Sequence, residues 1–530
     1  MDDRDDMYGG SIPEPGSSAE LEAFSQLQLH LFRQLREFDP AGRHMPRSVV
    51  VVPSLSLDQQ VISKIAGAPY YEERLLCLLM MLRMPQTDVI YVTSQPVHPT
   101  IIDYYLHLLP GIPVSHARRR LTLLCCHDSS HKSLTSKILA RPRLIQRIRE
   151  KIRHPDSAYM TCFCTTAQER TLAVRLGIPL YGCDPALVHL GDKSHGREVM
   201  RKAGIPMPDG REHLRDRNDM AEALAELKKK HSNMKRAVVK LNEGFSGEGN
   251  SLFYYNGCPE GDGLKRWVHD QLPTKLKYEA KNEDWEKYHE RFAEMGGIVE
   301  CFIEGDQKQS PNARYHIDPL GNVTVMSIQD QILGGPSGQI YLACAFPAEE
   351  GYRVEIQEMG MRICELLRDR GVLGQIGIDF LCVKEGDRWA NYGIEVNIRK
   401  GGATHPFFML QFLTHGHYDT ETATYHTPAG EPRCYYASDN LENELYRGLD
   451  ADNLIDIAVE NDIHFHGATQ QGVVFHLIGA LSEFGKLGVV CIADTPERAL
   501  ESYESTTEIL AREARRGFGS RPVISQSTTP

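Results

Sequence analysis

Asp379 in GQIGIDFLCV, with Glu395 and Asn397 in YGIEVNIRKGG, has the residue types and spacing to hold a hard divalent cation. Side chains alternate along a strand, so Glu395 and Asn397 share one face while Ile394 and Val396 take the other. A turn around Glu385–Arg388 folds that strand back on GIDFLCV and puts Asp379 opposite residues 394 and 395. Mg²⁺ favours such carboxylate oxygens together with substrate phosphates. The competing reading, a solvated polar face, leaves Asp379 as a lone acid in a strand otherwise apolar except for Gln375.

Phosphate chemistry is suggested by VVKLNEGFSGEGN, where Gly244, Gly247 and Gly249 follow Lys240. A Walker A loop would end in Gly-Lys-Ser/Thr and open a helix. Here the lysine comes first and SLFYY after the loop reads as a strand. A protein-kinase glycine loop also joins strands, but its lysine comes later. Taken singly, Lys240 is a strand lysine and Lys193 a charge before a helix, both ordinarily solvent-facing. Their order (lysine, lysine, glycine loop, acid, Glu-x-Asn) raises both above that reading. Glu243 and Glu248 run against it, because carboxylates near phosphate repel it. Cys125-Cys126-His127 with His131 matches no zinc spacing and reads as a strand end.

These residues need elements to carry them. The chain of 530 residues is too long for one core. Its 59 Lys and Arg against 71 Asp and Glu give a net charge of -12, which argues against nucleic acid and a polybasic membrane anchor. No apolar run is long enough for a membrane span, and the acidic Met1–Ser18 stretch is expected to be a disordered tail without a signal peptide. Thirteen cysteines, mostly inside apolar runs, fit reduced thiols of the cytoplasm.

From a helix over Leu21–Phe38, buried strands at Ser48–Leu55, Thr87–Gln95, Leu121–Cys126 and Ala158–Thr165, and a short one at Ile178–Gly182, alternate with helices. That pattern predicts a parallel α/β domain over residues 21–190. Closely spaced strands after Gly191 predict antiparallel sheets with helices over 191–425, then a C-terminal subdomain at 426–516. Residues 1–20 and 517–530 are expected as tails.

The 191–402 stretch resembles the ATP-grasp carboxylate–amine ligases. GDKSHGREVMRKAGIPMP resembles their first-lysine helix, AVVKLNEGFSGEGN the second-lysine strand and glycine loop, and IVECFIEG the adenine hinge. GIDF…IEVNIRKGG resembles their metal strands and catalytic arginine. EVNIRKGGATHPFFMLQFLT and GVVFHLIGALSEFGKLGVVCIAD are similar to pheganomycin-type peptide ligases, over residues 45 to 516. The resemblance implies a pre-ATP-grasp domain ahead of the grasp fold. It also implies ATP with one or two Mg²⁺ (Mn²⁺ an acceptable substitute), and an amide or peptide bond made through an acyl phosphate with release of ADP and phosphate.

By the same resemblance, Lys193 and Lys240 would clamp phosphates under a lid carrying Gly244, Ser246, Gly247 and Gly249. Glu300, Cys301 and Ile303 would hold adenine, with Gln307 or Asp306 at the ribose. Asp379, Glu395 and Asn397 would hold metal, and Arg399 with Lys240 would be catalytic. Arg314 and His405 are candidates for the substrate carboxylate. The implied partners are small-molecule or peptide acids and amines, with a homodimer left open. A grasp-fold kinase, a thiol ligase and a non-catalytic nucleotide module are the alternatives.

Overall fold

The computed structural model describes residues 12–36, 45–56, 66–244, 249–280, 283–334 and 340–517. Its first sheet is parallel, with strands β1 (Arg47–Val52), β2 (Thr87–Thr93), β3 (Leu121–Cys125) and β4 (Ala158–Cys162) in the order β3-β2-β1-β4. The valines of β1 and the whole of β2 are buried, as continuous apolar strands between two helical layers require. Ile178–Gly182, expected as a further strand, adds only one bridge, Leu180 beside Met160. On the edge away from Met160, the side chain of Gln28 satisfies the Leu180 backbone. Its Nε2 donates to the Leu180 carbonyl at 3.0 Å and its Oε1 accepts from the Leu180 N–H at 2.9 Å.

The second sheet holds β5 (Gly210–Leu214), β6 (Arg236–Leu241), β7 (Asn250–Tyr254), β8 (Leu276–Tyr278) and β9 (Gly297–Cys301), in the antiparallel order β5-β9-β6-β7-β8. Ala237, Val239, Leu241 and Val299 point into a core that this unit keeps to itself, with Leu224, Phe253 and Phe292. Strand alternation therefore turns Val238, Lys240, Ile298 and Glu300 to the opposite face.

The third sheet has eight strands: β10 (Lys308–Ile317), β11 (Val323–Gly334), β12 (Ile340–Phe346), β13 (Gly374–Glu385), β14 (Arg388–Asn397), β17 (Cys434–Glu442), β18 (Gly472–His476) and β19 (Lys486–Ala493). Their order is β14-β13-β10-β11-β12-β17-β19-β18, and a small hairpin of β15 (His417–Asp419) and β16 (Thr424–His426) stands apart. The strands after residue 430 thus extend the sheet that carries the predicted acids. One core joins the parallel sheet to this large sheet, with Val49 and Tyr91 in the same cluster as Phe346, Leu410 and Val490.

The fold class is as expected: a parallel α/β unit, then antiparallel sheets with helices. All thirteen cysteines are free thiols, and ten of them are buried. Among the described residues no helix is long and apolar enough to cross a membrane.

Candidate active site

The hairpin of β13 and β14 forms with the expected turn. Asp379 lies across from Glu395 and Gly377 from Asn397, with a bulge immediately after Asp379. Such a bulge re-aims side chains beside a site. The Asp379 carboxylate is ringed by amides. Its Oδ1 accepts from Asn312 Nδ2 at 2.7 Å and Gln331 Nε2 at 2.8 Å, and its Oδ2 from Asn397 Nδ2 at 2.9 Å. Gln329 Nε2 in turn donates to Asn312 Oδ1 at 2.8 Å, fixing which end of that amide faces the acid.

Burial, then the neighbouring charge of Glu395, pushes Asp379 up to about 6, against the pull of the amides and Arg399. Burial alone would raise Glu395 as well. Lys193, Arg399 and Lys240 outweigh it and hold Glu395 below the usual carboxylate range. Two facing acids, with the Asn397 amide beside them, fit a divalent cation, whose charge would relieve the repulsion that raises Asp379.

Three cations reach this pair from different elements. Lys193 opens the helix Lys193–Lys202, which the Asp192 side chain caps by accepting from the His195 N–H at 2.7 Å. That helix lies on β14, with Gly196 facing Val396. Buried Lys193 Nζ comes 3.5 Å from Glu395 Oε1. Lys240 is also buried, with Nζ 2.5 Å from Glu300 Oε1. Arg197, one turn along the same helix, brings Nη1 to 2.9 Å from Glu300 Oε2. Glu300, expected at adenine, thus has both oxygens engaged by cations.

Asn242 locks the two lysine-bearing elements together. Its Oδ1 accepts from Ser194 Oγ at 2.6 Å, and its backbone carbonyl accepts from the Lys193 N–H at 3.2 Å. Asn242, Arg197, Asn312 and Gln331 escaped the sequence reading. Arg197 lies four residues beyond Lys193, on the same helix face, and Asn312 shares strand phase with Arg314; these were the available signals.

Among the glycines, Gly244 approaches the site closely. A Cβ there would stand 3.5 Å from Lys193 Nζ and 3.4 Å from the Gly249 nitrogen. Gly249 closes the loop by accepting from the Leu241 N–H at 3.0 Å. Ser246 and Gly247 lie outside the described residues. Cys301 and Ile303 are half-buried and Gln307 is exposed, on the stretch that carries the chain from the five-stranded to the eight-stranded sheet.

Beyond β14, Arg399 and Lys400 diverge. Arg399 acts on both acids. Lys400 is buried in the first domain, its Nζ donating to the Cys162 carbonyl at 2.6 Å and Thr161 Oγ1 at 3.1 Å. Arg314 is buried beneath the loop and donates through Nη2 to Thr404 Oγ1 at 2.5 Å. Glycines make its space: a Cβ at Gly377 or Gly401 would meet Nη1 at 2.6 or 2.7 Å. Burial brings this arginine down to about 10, with Asp379 opposing the change. His405 stands elsewhere. It is buried against His476, with Nδ1 2.9 Å from the Arg74 carbonyl, and burial followed by the nearby His476 holds it well below the usual histidine range.

An IQCH-like ATP-grasp family model matches residues 185–255 and 266–421, the span that holds every one of these cations and acids. Residues 185–421 thus form an ATP-grasp region. A second model, the PGM1 C-terminal domain, matches residues 453–506. The chain is 28% identical over 469 residues to an L-propargylglycine–L-glutamate ligase of Streptantibioticus cattleyicolor, covering 87% of this chain and 93% of that one. It is 23% identical over 462 residues to the IQ motif-containing protein H of Danio rerio, covering 76% of this chain but 43% of that longer protein. The biotin carboxylase of Campylobacter jejuni shares the fold, with a TM-score of 0.54 at 14% identity over 90% of this chain and 96% of that one.

Proposed function

We propose that this protein is an ATP-dependent ligase that joins a carboxylate to an amine through an acyl phosphate, releasing ADP and phosphate. The observation that carries this reading is the convergence of Lys193, Lys240 and Arg399 on Glu395, across from Asp379. A site that merely held nucleotide would have no need of a fixed arginine beside the metal acids.

Lys193 and Lys240 neutralise phosphate oxygens. Glu300 and Arg197 hold Lys240 in place, so base recognition falls on the chain at Cys301 and Ile303, with Gln307 at the ribose. Asp379, Glu395 and Asn397 hold Mg²⁺, which supplies charge neutralisation at the phosphates when bound. Arg399 stabilises the charge that develops as the acid oxygen attacks the γ-phosphate, and again the oxyanion formed when the amine adds. Arg314, buried with no carboxylate bonded to it among the described residues, draws the substrate carboxylate towards Arg399. The substrates are small molecules or amino acids, and the reduced cysteines suit the cytoplasm.

Hydroxylamine tests the reading. With ATP, Mg²⁺ and the correct acid but no amine, a hydroxamate should accumulate, and Glu395→Gln should suppress it. ADP formation accompanied by a stable phosphorylated alcohol, unaffected by hydroxylamine, would overturn the ligase assignment.

A further inference from the structure

A second set of ligand-type side chains lies outside the ATP-grasp cleft, in the segment Asn461–Gly467. The helix Ala451–Glu460 ends there. Asp462 takes a left-handed φ of 54°, with its N–H bonded to the Val459 carbonyl at 3.2 Å. The chain then runs extended. Ile463 and Phe465 pack on the main core, and the alternation leaves Asp462, His464 and His466 together.

One donor atom from each of the three lies within 4.8 Å of the other two. His466 Nε2 is 2.9 Å from Asp462 Oδ1, and the two imidazole centroids are 4.3 Å apart. Donors on a tetrahedral ion stand roughly 3.3 Å apart at metal–nitrogen distances near 2 Å.

The backbone beneath them is braced. The Ile463 carbonyl accepts from the Val473 N–H at 2.9 Å, and the His466 N–H donates to the Gln471 carbonyl at 2.8 Å. Arg433 donates to the Thr469 and Gln470 carbonyls at the tip, and Arg512 donates to Asn461 Oδ1 at 2.5 Å at the base. An Asp–His surface pair accounts for Asp462 with His466. It leaves His464 unexplained: its Nδ1 is buried with no hydrogen-bond partner, beside a second imidazole. A bound cation accounts for all three.

We propose that Asp462, His464 and His466 bind a divalent transition-metal ion of the Zn²⁺ class, with water completing the shell. Two imidazoles and one carboxylate suit such a borderline ion, whereas Mg²⁺ prefers oxygen alone. The site is therefore chemically distinct from the acid pair of the cleft and binds in the presence of excess Mg²⁺.

Chelator-stripped full-length protein, with millimolar MgCl₂ present, should bind one more equivalent of ZnCl₂ in equilibrium dialysis than His464→Asn. Asp462→Asn, at an exposed position, should weaken that equivalent by at least about tenfold, the smaller effect of losing even an outer-shell partner. Lowering the pH from 7.5 to 5.5 should release it, because protonated imidazoles do not ligate. CoCl₂ should give a d–d spectrum without a thiolate charge-transfer band in the parent protein, and none in His464→Asn. Equal stoichiometry in parent and variants, or a thiolate band showing the ion on cysteine, would overturn the proposal. Unchanged circular dichroism of the variants keeps the comparison sound.

Discussion

Two clusters in this molecule combine carboxylates with cations, and they treat their acids in opposite ways. In the cleft, Asp379 is bonded by neutral amides, faces a second acid, and rises to about 6. Near the far end of the large sheet, Asp439 is sealed in. Its Oδ2 pairs with Arg74 Nη2 and its Oδ1 lies 2.6 Å from His476 Nε2. Burial would raise Asp439, but the Arg74 charge and the hydrogen bond to His476 hold it far below the usual carboxylate range.

The Arg74 guanidinium also stacks 4.0 Å from the centroid of Tyr71. Saturated charge fastens the first domain to the large sheet. The cleft instead leaves Asp379 hydrogen-bonded by neutral amides alone, with no cation bonded to it among the described residues. A cluster's use is thus legible in how completely its acids are answered.

The largest break in this contrast comes from Asp439→Ala. Removing the anion strands Arg74 and His476 in the interior, so urea unfolding should show a loss of about 3–5 kcal/mol. ATP affinity of the folded fraction should be unchanged. Arg399→Ala should do the reverse. Turnover should fall about 100- to 1000-fold, roughly 2.7–4 kcal/mol at the transition state, with the denaturation midpoint barely moved. A stability loss at Arg399 comparable to that at Asp439 would erase the distinction.

A smaller effect sharpens it. His405 is neutral in the native state, its value depressed by burial, whereas in the unfolded chain it titrates near 6.5. A depressed native value means stability is full above pH 6.5 and is lost as pH falls, because only the unfolded chain gains the proton. Between pH 6.5 and 5.5 the contribution is about 1 kcal/mol. Urea unfolding of His405→Gln should show a decline shallower by that amount. An identical slope in parent and variant would mean His405 is not the neutral group.

The facing of Asp379 and Glu395 was readable before any coordinates, because one turn and a two-residue period fix both residues. The positions of Lys193 and Lys240 near them followed from motif order. The ion pairs of Glu300 were not legible, because Arg197 and Lys240 lie 103 and 60 residues away in the chain and meet it only through β6, β9 and the Lys193–Lys202 helix. His405 looked like part of the glycine-rich loop it follows. The first turn of the helix Thr404–Thr414 buries it against His476, a partner 71 residues later. Likewise the pairing of β17, β18 and β19, in the expected C-terminal subdomain, with the large sheet was not legible, since strand order across a sheet is set by long-range pairing that local alternation does not encode.

Lys400 has a mechanical consequence. By gripping β4 while its neighbour Arg399 faces the acids, it rivets the acid-bearing edge of the large sheet to the first domain, with which that sheet already shares a core. The five-stranded sheet has a core of its own and joins the rest covalently through residues 203–209 and 302–307. The molecule is therefore built as an anvil and a single jaw. Arg399, Asp379 and Glu395 belong to the anvil and Lys240 and Glu300 to the jaw, and the Lys193–Lys202 helix bridges the two, bonded to Asn242 and Glu300 on one side and lying on β14 on the other.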